Sequence, residues 1–213
     1  MDFASDASLF LGSTEDFPQI YEDMKKQFPS CEMYTFKTFV QLLNNNKYKI
    51  LLYRRNTDNV LVGYALVYII ENSNVLWLDY IAVLTEYSSH GYGSSLFKAL
   101  WQKYCGPFDG IMFSVEHVCN NDPKLAERQK RRLNFYERLG AHRLNADFLL
   151  PCDDGSFPMY LYYKPRRDCA SVSRSVQIQS ITQMYDYCFF NLKHRKELLP
   201  LYKNTILDEK FVN

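Results

Sequence analysis

The sequence predicts a mixed α+β fold, and three observations carry that prediction. Two amphipathic helical segments lead into three β-rich runs separated by Asn-rich turns; a strand then passes through a Gly-containing turn into a helix and on to another strand; beyond Pro165 the pattern is helical only. The 213 residues, 47% hydrophobic and 16% aromatic, suffice for one large domain or one domain with an appendage.

The elements follow in order. Ser13 to Phe28 is expected as a helix: Ser13 or Thr14 can cap it, Glu15 and Asp16 suit the positive end of its dipole, and Pro29 lies just past its end. Tyr34 to Leu43 is a second helix, ending in Asn44-Asn45-Asn46. Strands are expected at Lys49 to Arg54, Val60 to Ile70 and Val75 to Leu84, joined at Asn56-Thr57-Asp58-Asn59 and Glu71-Asn72-Ser73-Asn74 as an antiparallel meander. Glu86 to Gly93 is a polar turn. Ser94 to Tyr104 is a helix with Leu96, Phe97, Leu100 and Trp101 on one face, closed by Gly106-Pro107.

Ile111 to Glu116 is a short strand, His117 to Pro123 a loop, and Lys124 to Leu139 a long helix stopped by Gly140. The strand-helix-strand unit from Val75 to Val115 implies parallel neighbours and a right-handed crossover. Arg143 to Leu150 and Met159 to Lys164 read as closing strands. Pro165-Arg166-Arg167-Asp168 is the expected boundary, giving a domain over 1–167 and a helical extension over 168–213. In that extension Val172 to Leu192 and Arg195 to Leu207 are expected as helices. The stripe Ile178, Ile181, Met184, Tyr185, Cys188 and Phe189 needs a cover, from the domain or from a second copy of the chain in a homodimer.

Composition excludes several functions. With 25 basic against 24 acidic residues the net charge is +1, so no global field gathers nucleic acid or anionic lipid. The N-terminal segment Met1 to Asp6 has neither the basic nor the apolar region of a secretory signal, and no window is apolar enough to span a membrane. Cys31, Cys105, Cys119, Cys152, Cys169 and Cys188 are widely spaced and read as free thiols in a cytoplasmic protein. The four histidines share no ligand spacing with each other or with the cysteines, so no metal is expected.

The chemistry sits at the turn. Val75 to Val83 runs through Ser88-Ser89-His90-Gly91-Tyr92-Gly93 into the helix from Ser94. A strand, a Gly turn and a helix expose unpaired N–H groups at the positive end of a dipole, which makes an anion site. Gly91 and Gly93 allow close approach of phosphate oxygens. A Walker loop would need Gly-Lys-Ser/Thr, where this chain has Gly93-Ser94-Ser95; a dinucleotide fingerprint would need a third Gly where Leu96 stands.

With Ile81-Ala82-Val83 before the turn and Phe135-Tyr136-Glu137-Arg138-Leu139-Gly140 downstream, the chain resembles the GNAT superfamily of N-acetyltransferases. That family shows an Ala-Val step, then R/Q-x-x-G-x-G/A and a helix, and later F-Y-x-x-x-G. The resemblance spans Ser13 to Pro165 and implies a GNAT-like, mostly antiparallel sheet flanked by helices, with acetyl-CoA as cosubstrate and no metal. It departs at Ser88, where the family carries Arg or Gln. The pyrophosphate seat is therefore expected to be built mainly from backbone, with His90 a partial substitute.

The resemblance further implies site residues. The main chain of Ile81, Ala82 and Val83 would pair with the pantetheine arm, and Ser88 to Ser94 (Ser88, Ser89, His90, Gly91, Tyr92, Gly93, Ser94) would hold the pyrophosphate. The acyl group would point toward Ile111 to Glu116. Tyr136 matches the family's proton donor to the leaving thiolate, Asp79 and Glu116 are the candidate bases, with His117 a third choice, and Gln129 stands where the family often has a pantetheine-binding Asn. Arg128 to Arg132 reads as a solvated face or as a contact for the 3′-phosphate. The acceptor is a small-molecule or peptide amine, with Tyr34, Phe36 and Phe39, or Asp153-Asp154, as candidate contacts. Two functions stay open: an N-acetyltransferase, and an acyl-CoA-binding regulatory protein without turnover, which the loss at Ser88 motivates.

Overall fold

A computed structural model describes residues 6–104, 106–119, 121–166 and 169–211. The fold is mixed α+β, with an eight-stranded, mostly antiparallel sheet, a separate two-stranded sheet and six α-helices among the described residues. Its contacts divide it into two units, Met1–Ile69 with Leu78–Gly106 and Ile70–Trp77 with Pro107–Asn213. The expected boundary at 167/168 lies outside the described residues, as does Cys105.

In the first unit, β1 (Ala7–Leu11) pairs antiparallel with β2 (Tyr48–Arg55), and β2 with β3 (Leu61–Ile69) from Tyr48↔Tyr68 to Arg54↔Leu61. A bulge at Tyr53/Arg54 absorbs one residue of β3. Next to β3 lies β4 (Val75–Val83), whose Leu78–Val83 part belongs to this unit. Strand β1 was not expected from sequence: its five residues leave Phe10 and Leu11 exposed, and they are recruited to the sheet by pairing with the edge of β2.

Helix α1 (Phe17–Gln27) starts four residues later than predicted. Neither Ser13 nor Thr14 caps it; Asp16 instead folds back, its Oδ2 accepting from Ser13 N at 2.9 Å and Ser13 Oγ at 3.1 Å. That closes a separate turn before the helix begins at Phe17, with Pro18 in its first turn. Helix α2 (Phe36–Leu43) is capped by Thr35, whose side chain accepts from Thr38 N at 3.2 Å. Phe17, Ile20 and Met24 of α1 and Phe39 and Leu42 of α2 are buried. Helix α3 (Tyr92–Tyr104) follows β4 and buries Leu96, Phe97 and Leu100.

In the second unit, Val75–Trp77 of β4 run parallel to β5 (Gly110–Glu116), from Val75↔Gly110 to Trp77↔Met112. On its other edge β5 pairs antiparallel with the long β8 (Gly155–Pro165), from Gly110↔Pro165 to Glu116↔Met159. Gly110 is required by contact: a Cβ there would meet the Tyr163 ring at 2.2 Å. Helix α4 (Pro123–Arg138) is capped by Asp122, whose Oδ1 accepts from Lys124 N at 3.0 Å and Leu125 N at 3.1 Å.

The expected strand Arg143 to Leu150 is in fact two, β6 (His142–Arg143) and β7 (Leu149–Cys152), both on β8. Distant residues break it, because Asn145 N donates to Glu209 Oε1 at 2.8 Å and Asp147 N to Thr205 Oγ1 at 3.0 Å. Those donors are lost to any continuous ladder.

The C-terminal part holds β9 (Ser171–Val172), α5 (Arg174–Cys188), α6 (Arg195–Tyr202) and β10 (Glu209–Lys210), which pairs antiparallel with β9. Both helices are shorter than predicted: Ser173 caps α5, accepting from Val176 N at 3.2 Å, and α6 closes soon after Pro200. The α5 stripe is covered within this unit. Ile181, Met184 and Cys188 are fully buried, and the Tyr185 hydroxyl donates to Leu149 O and lies 2.7 Å from the Tyr202 hydroxyl. Among the described residues no helix is long and apolar enough to cross a membrane.

Candidate active site

Strand β4 ends at Val83 and the chain turns sharply. Leu84 N still donates to Val62 O at 3.0 Å; a short 3₁₀ turn over Thr85–Tyr87 follows, then Ser89 and Gly91 with φ of 64° and 84°. Helix α3 begins at Tyr92, two residues earlier than predicted, and its first helical bond is from Ser95 N to Gly91 O at 3.3 Å. The N–H groups of Tyr92, Gly93 and Ser94 therefore have no acceptor within the helix. Ser88, Ser89, His90 and Gly91 are all exposed, and a Cβ placed on Gly91 would have nothing within 4 Å. Open space over a positive dipole end suits a phosphate group.

The turn is held from behind by the Tyr92 side chain. It is buried in a cluster with Tyr53, Val62 and Leu96, against which Ile81 and Val83 also pack. The Tyr53 and Tyr87 rings meet it edge-on at 6.4 Å and 6.3 Å. Tyr92 thus offers its main chain outward while its side chain is core. His90 Nδ1 donates to Ser88 O at 2.7 Å, folding the imidazole onto its own turn. Arg55, which sequence reasoning did not single out, comes beside the turn from β2. It grips Asp58 through two bonds of 2.9 Å and 2.6 Å and lies 5.6 Å from the Tyr87 ring centroid. With Thr57, Glu86, Tyr87, His90 and Tyr92 it lines a cavity of about 420 Å³.

Behind the turn, the last residues of β4 are fixed on both sides. A Cβ on Gly63 would lie 2.8 Å from Ala82 O, so β3 can approach only as glycine. Gln27 Nε2 donates to Val83 O at 3.0 Å and to Asp23 Oδ2 at 2.6 Å; the same Asp23 oxygen accepts from Tyr64 at 2.9 Å. Further back in β4, Asp79 accepts from Tyr34 at 3.3 Å and from the Tyr48 hydroxyl. Tyr34 and Phe39, named as acceptor candidates, stack edge-on at 5.0 Å and are buried, while Phe36 remains 40% exposed.

The second unit holds the other candidates. Glu116, at the end of β5, accepts from Arg132 Nη1 at 2.6 Å, so this member of the basic run is an ion-pair partner as well as part of an exposed face. Tyr136 follows Arg132 by one helical turn, and its ring lies 4.6 Å from that of Phe113. Burial raises its phenol to about 12; the Arg132 charge pulls it down and the Glu116 charge pushes it up. Such a phenol keeps its proton at neutral pH and is present in the form a proton donor needs. Gln129 is buried, and its Oε1 accepts from Cys119 N at 2.7 Å, closing the loop before α4. His117 stacks on Tyr160 at 4.1 Å, and burial depresses its pKa. Asp153 and Asp154 lie in the β7–β8 turn and are exposed.

Within the first unit, then, the structure joins Ile81–Val83 directly to the exposed turn. Within the second it brings Glu116 and Tyr136 together around Arg132. Among the described residues no group of three or more His, Cys, Asp or Glu could hold a metal ion.

The protein-family comparison matches residues 15–141 to the acetyltransferase (GNAT) family. No curated protein matches. Among solved structures, a GNAT-family acetyltransferase from Bacteroides thetaiotaomicron is similar at 19% identity and a TM-score of 0.67, over 84% of this chain and 98% of that one. The ribosomal-protein-S18-alanine N-acetyltransferase of Escherichia coli is similar at 18% and 0.56, over 75% and 94%. A GNAT acetyltransferase from Elizabethkingia anophelis, solved with acetyl-CoA bound, is similar at 14% and 0.54, over 75% and 98%. At these identities the structures speak for the fold, and the family match covers more than half of the sequence. The chain belongs to the acetyltransferase (GNAT) family, an acyltransferase whose family uses acetyl-CoA.

Proposed function

We propose that this enzyme transfers an acetyl group from acetyl-CoA to a primary amine by direct attack. The observation that carries the reading is the exposed turn Ser88–Gly91, with open space over Gly91 and, at the start of α3, N–H groups that have no acceptor within the helix. In this reading Tyr92, Gly93 and Ser94 hold the pyrophosphate through main-chain N–H groups, with Ser88, Ser89 and His90 around it. The main chain of Ile81, Ala82 and Val83 seats the pantetheine arm, and Gln129 orders the loop before α4 through Cys119. Bound acetyl-CoA supplies a thioester carbonyl and a thiol leaving group.

The chain's own groups then move two protons. Tyr136 gives its phenol proton to the departing sulfur. Asp79 or Glu116 takes the proton from the acceptor ammonium. Of these Asp79 is the better acceptor, because its partners Tyr34 and Tyr48 are neutral phenols, whereas a proton on Glu116 would cost the 2.6 Å ion pair with Arg132. An amine acceptor agrees with the E. coli neighbour, whose name specifies an alanine of a ribosomal protein. The reading includes no metal, nucleic acid or membrane partner. It places the enzyme in the cytoplasm on the strength of the free thiols at Cys31, Cys119 and Cys152.

Thermal melts with acetyl-CoA, CoA and ATP test the seat; stabilisation by ATP alone would sink it. Thiol release against a panel of small amines and peptide N-termini tests the reaction. Stabilisation by acetyl-CoA with no thiol release from any acceptor would favour the regulatory reading that Ser88 motivates.

A further inference from the structure

We propose that Gln27 of α1 is a positioning residue for the cosubstrate, acting through the Val83 carbonyl at the end of β4. This rests on the reading of β4 and its turn as the acetyl-CoA seat. Val83 is the last strand residue before the chain bends toward Gly91, so its main chain decides where the turn is aimed. Three contacts converge on that point. Gly63 admits Ala82 O so closely that a Cβ would lie 2.8 Å away, Leu84 N is tied to Val62 O at 3.0 Å, and Gln27 Nε2 holds Val83 O at 3.0 Å. The first two come from β3. The third is the only side chain of α1 bonded to the strand end among the described residues.

Gln27 is itself aimed. Its Nε2 meets two acceptors, Val83 O at 3.0 Å and Asp23 Oδ2 at 2.6 Å, which only the NH₂ end of the amide can satisfy. Asp23 lies one turn earlier on α1, is 91% buried, and is held in turn by the Tyr64 hydroxyl at 2.9 Å. A buried carboxylate with two donors is costly to disturb, so the relay Tyr64–Asp23–Gln27–Val83 is stiff. An apolar residue at 27 would strip Val83 O and Asp23 of their donor together, while the side-chain packing of β4 against Tyr53, Val62, Tyr92 and Leu96 would persist. The seat would then fold but wander.

The test is Gln27→Leu against Gln27→Lys in the full chain, read by calorimetric Kd for acetyl-CoA and by kcat and KM for an accepted amine. The leucine variant should weaken acetyl-CoA about five- to twentyfold while saturating kcat and the amine KM stay within about twofold. The lysine variant, whose ammonium can donate to both Asp23 and Val83 O, should stay within about threefold of the parent. A leucine variant that binds acetyl-CoA as tightly as the parent overturns the proposal. If that variant does not fold, Gln27→Glu against Gln27→Lys decides: equal affinities overturn it, weaker binding by the glutamate variant supports it. A parent protein that does not bind acetyl-CoA brings down the seat itself, a result separate from any difference among the variants.

Discussion

Gly91→Ala separates the cost of a backbone shape from the cost of a blocked surface. Gly91 sits at φ 84°, where an L-residue is strained by about 1–2 kcal/mol. No heavy atom lies within 4 Å of the new Cβ, so crowding adds nothing in the free protein. For a chain of this size the melt should therefore fall by roughly 2–8 °C, at about 2–4 °C per kcal/mol. Binding should suffer more. The methyl group would stand where phosphate oxygens approach the N–H groups of Tyr92 and Gly93, and losing one charge-assisted bond costs about 1.5–3 kcal/mol. That is about ten- to a hundredfold in Kd for acetyl-CoA. Calorimetric titration beside a melt reads both quantities on one preparation. An alanine variant with the lowered melt and the parent's Kd would refute the placement of the phosphates over Gly91.

Other expectations concern the second unit and the carboxylates. Tyr136→Phe should lower kcat by about 10²–10⁴ with acetyl-CoA affinity nearly unchanged, and unaltered turnover would remove Tyr136 from the proton path. Because burial lifts its phenol to about 12, the stability it contributes is complete below the ordinary value of 10.0 and is lost as pH climbs through 12; an activity limb from Tyr136 near pH 10 would contradict that burial. Asp79→Asn should reduce kcat more than Glu116→Gln does, and the reverse order would transfer the base to β5. Gly110→Ala drives a Cβ to 2.2 Å from the Tyr163 ring and should destabilise the fold by about 1–3 kcal/mol, read as a lower urea midpoint.

What the sequence disclosed follows the range of the forces involved. The turn from Val83 to Tyr92 was legible because glycine conformation and helix-start chemistry act over a few residues. The meander and the strand-helix-strand unit were legible from alternation and Asn-rich turns, and β2, β3 and β4 match to within a residue or two. The start of α1 was missed because Asp16, a good dipole partner on paper, spends its carboxylate on Ser13. The strand expected from Arg143 to Leu150 failed for a longer-range reason, since its donors go to Thr205 and Glu209. The same limit hid the pairing of Arg132 with Glu116 and of Gln27 with Val83, sixteen and fifty-six residues apart. Helical periodicity says which face Arg132 occupies, but not which carboxylate waits there.

The bonds from Thr205 and Glu209 also bear on where this protein can be cut. They hold the segment around Phe148, a fully buried ring that meets Tyr185 at 6.0 Å and Tyr202 at 6.1 Å. All four of those partners lie beyond residue 200 or on α5, well past the stretch matched to the family. A shortened gene ending near Pro165 would synthesise every family landmark and still leave Phe148 without the Tyr185 and Tyr202 rings. The C-terminal segment thus acts as a closing piece of the second unit rather than as a tail.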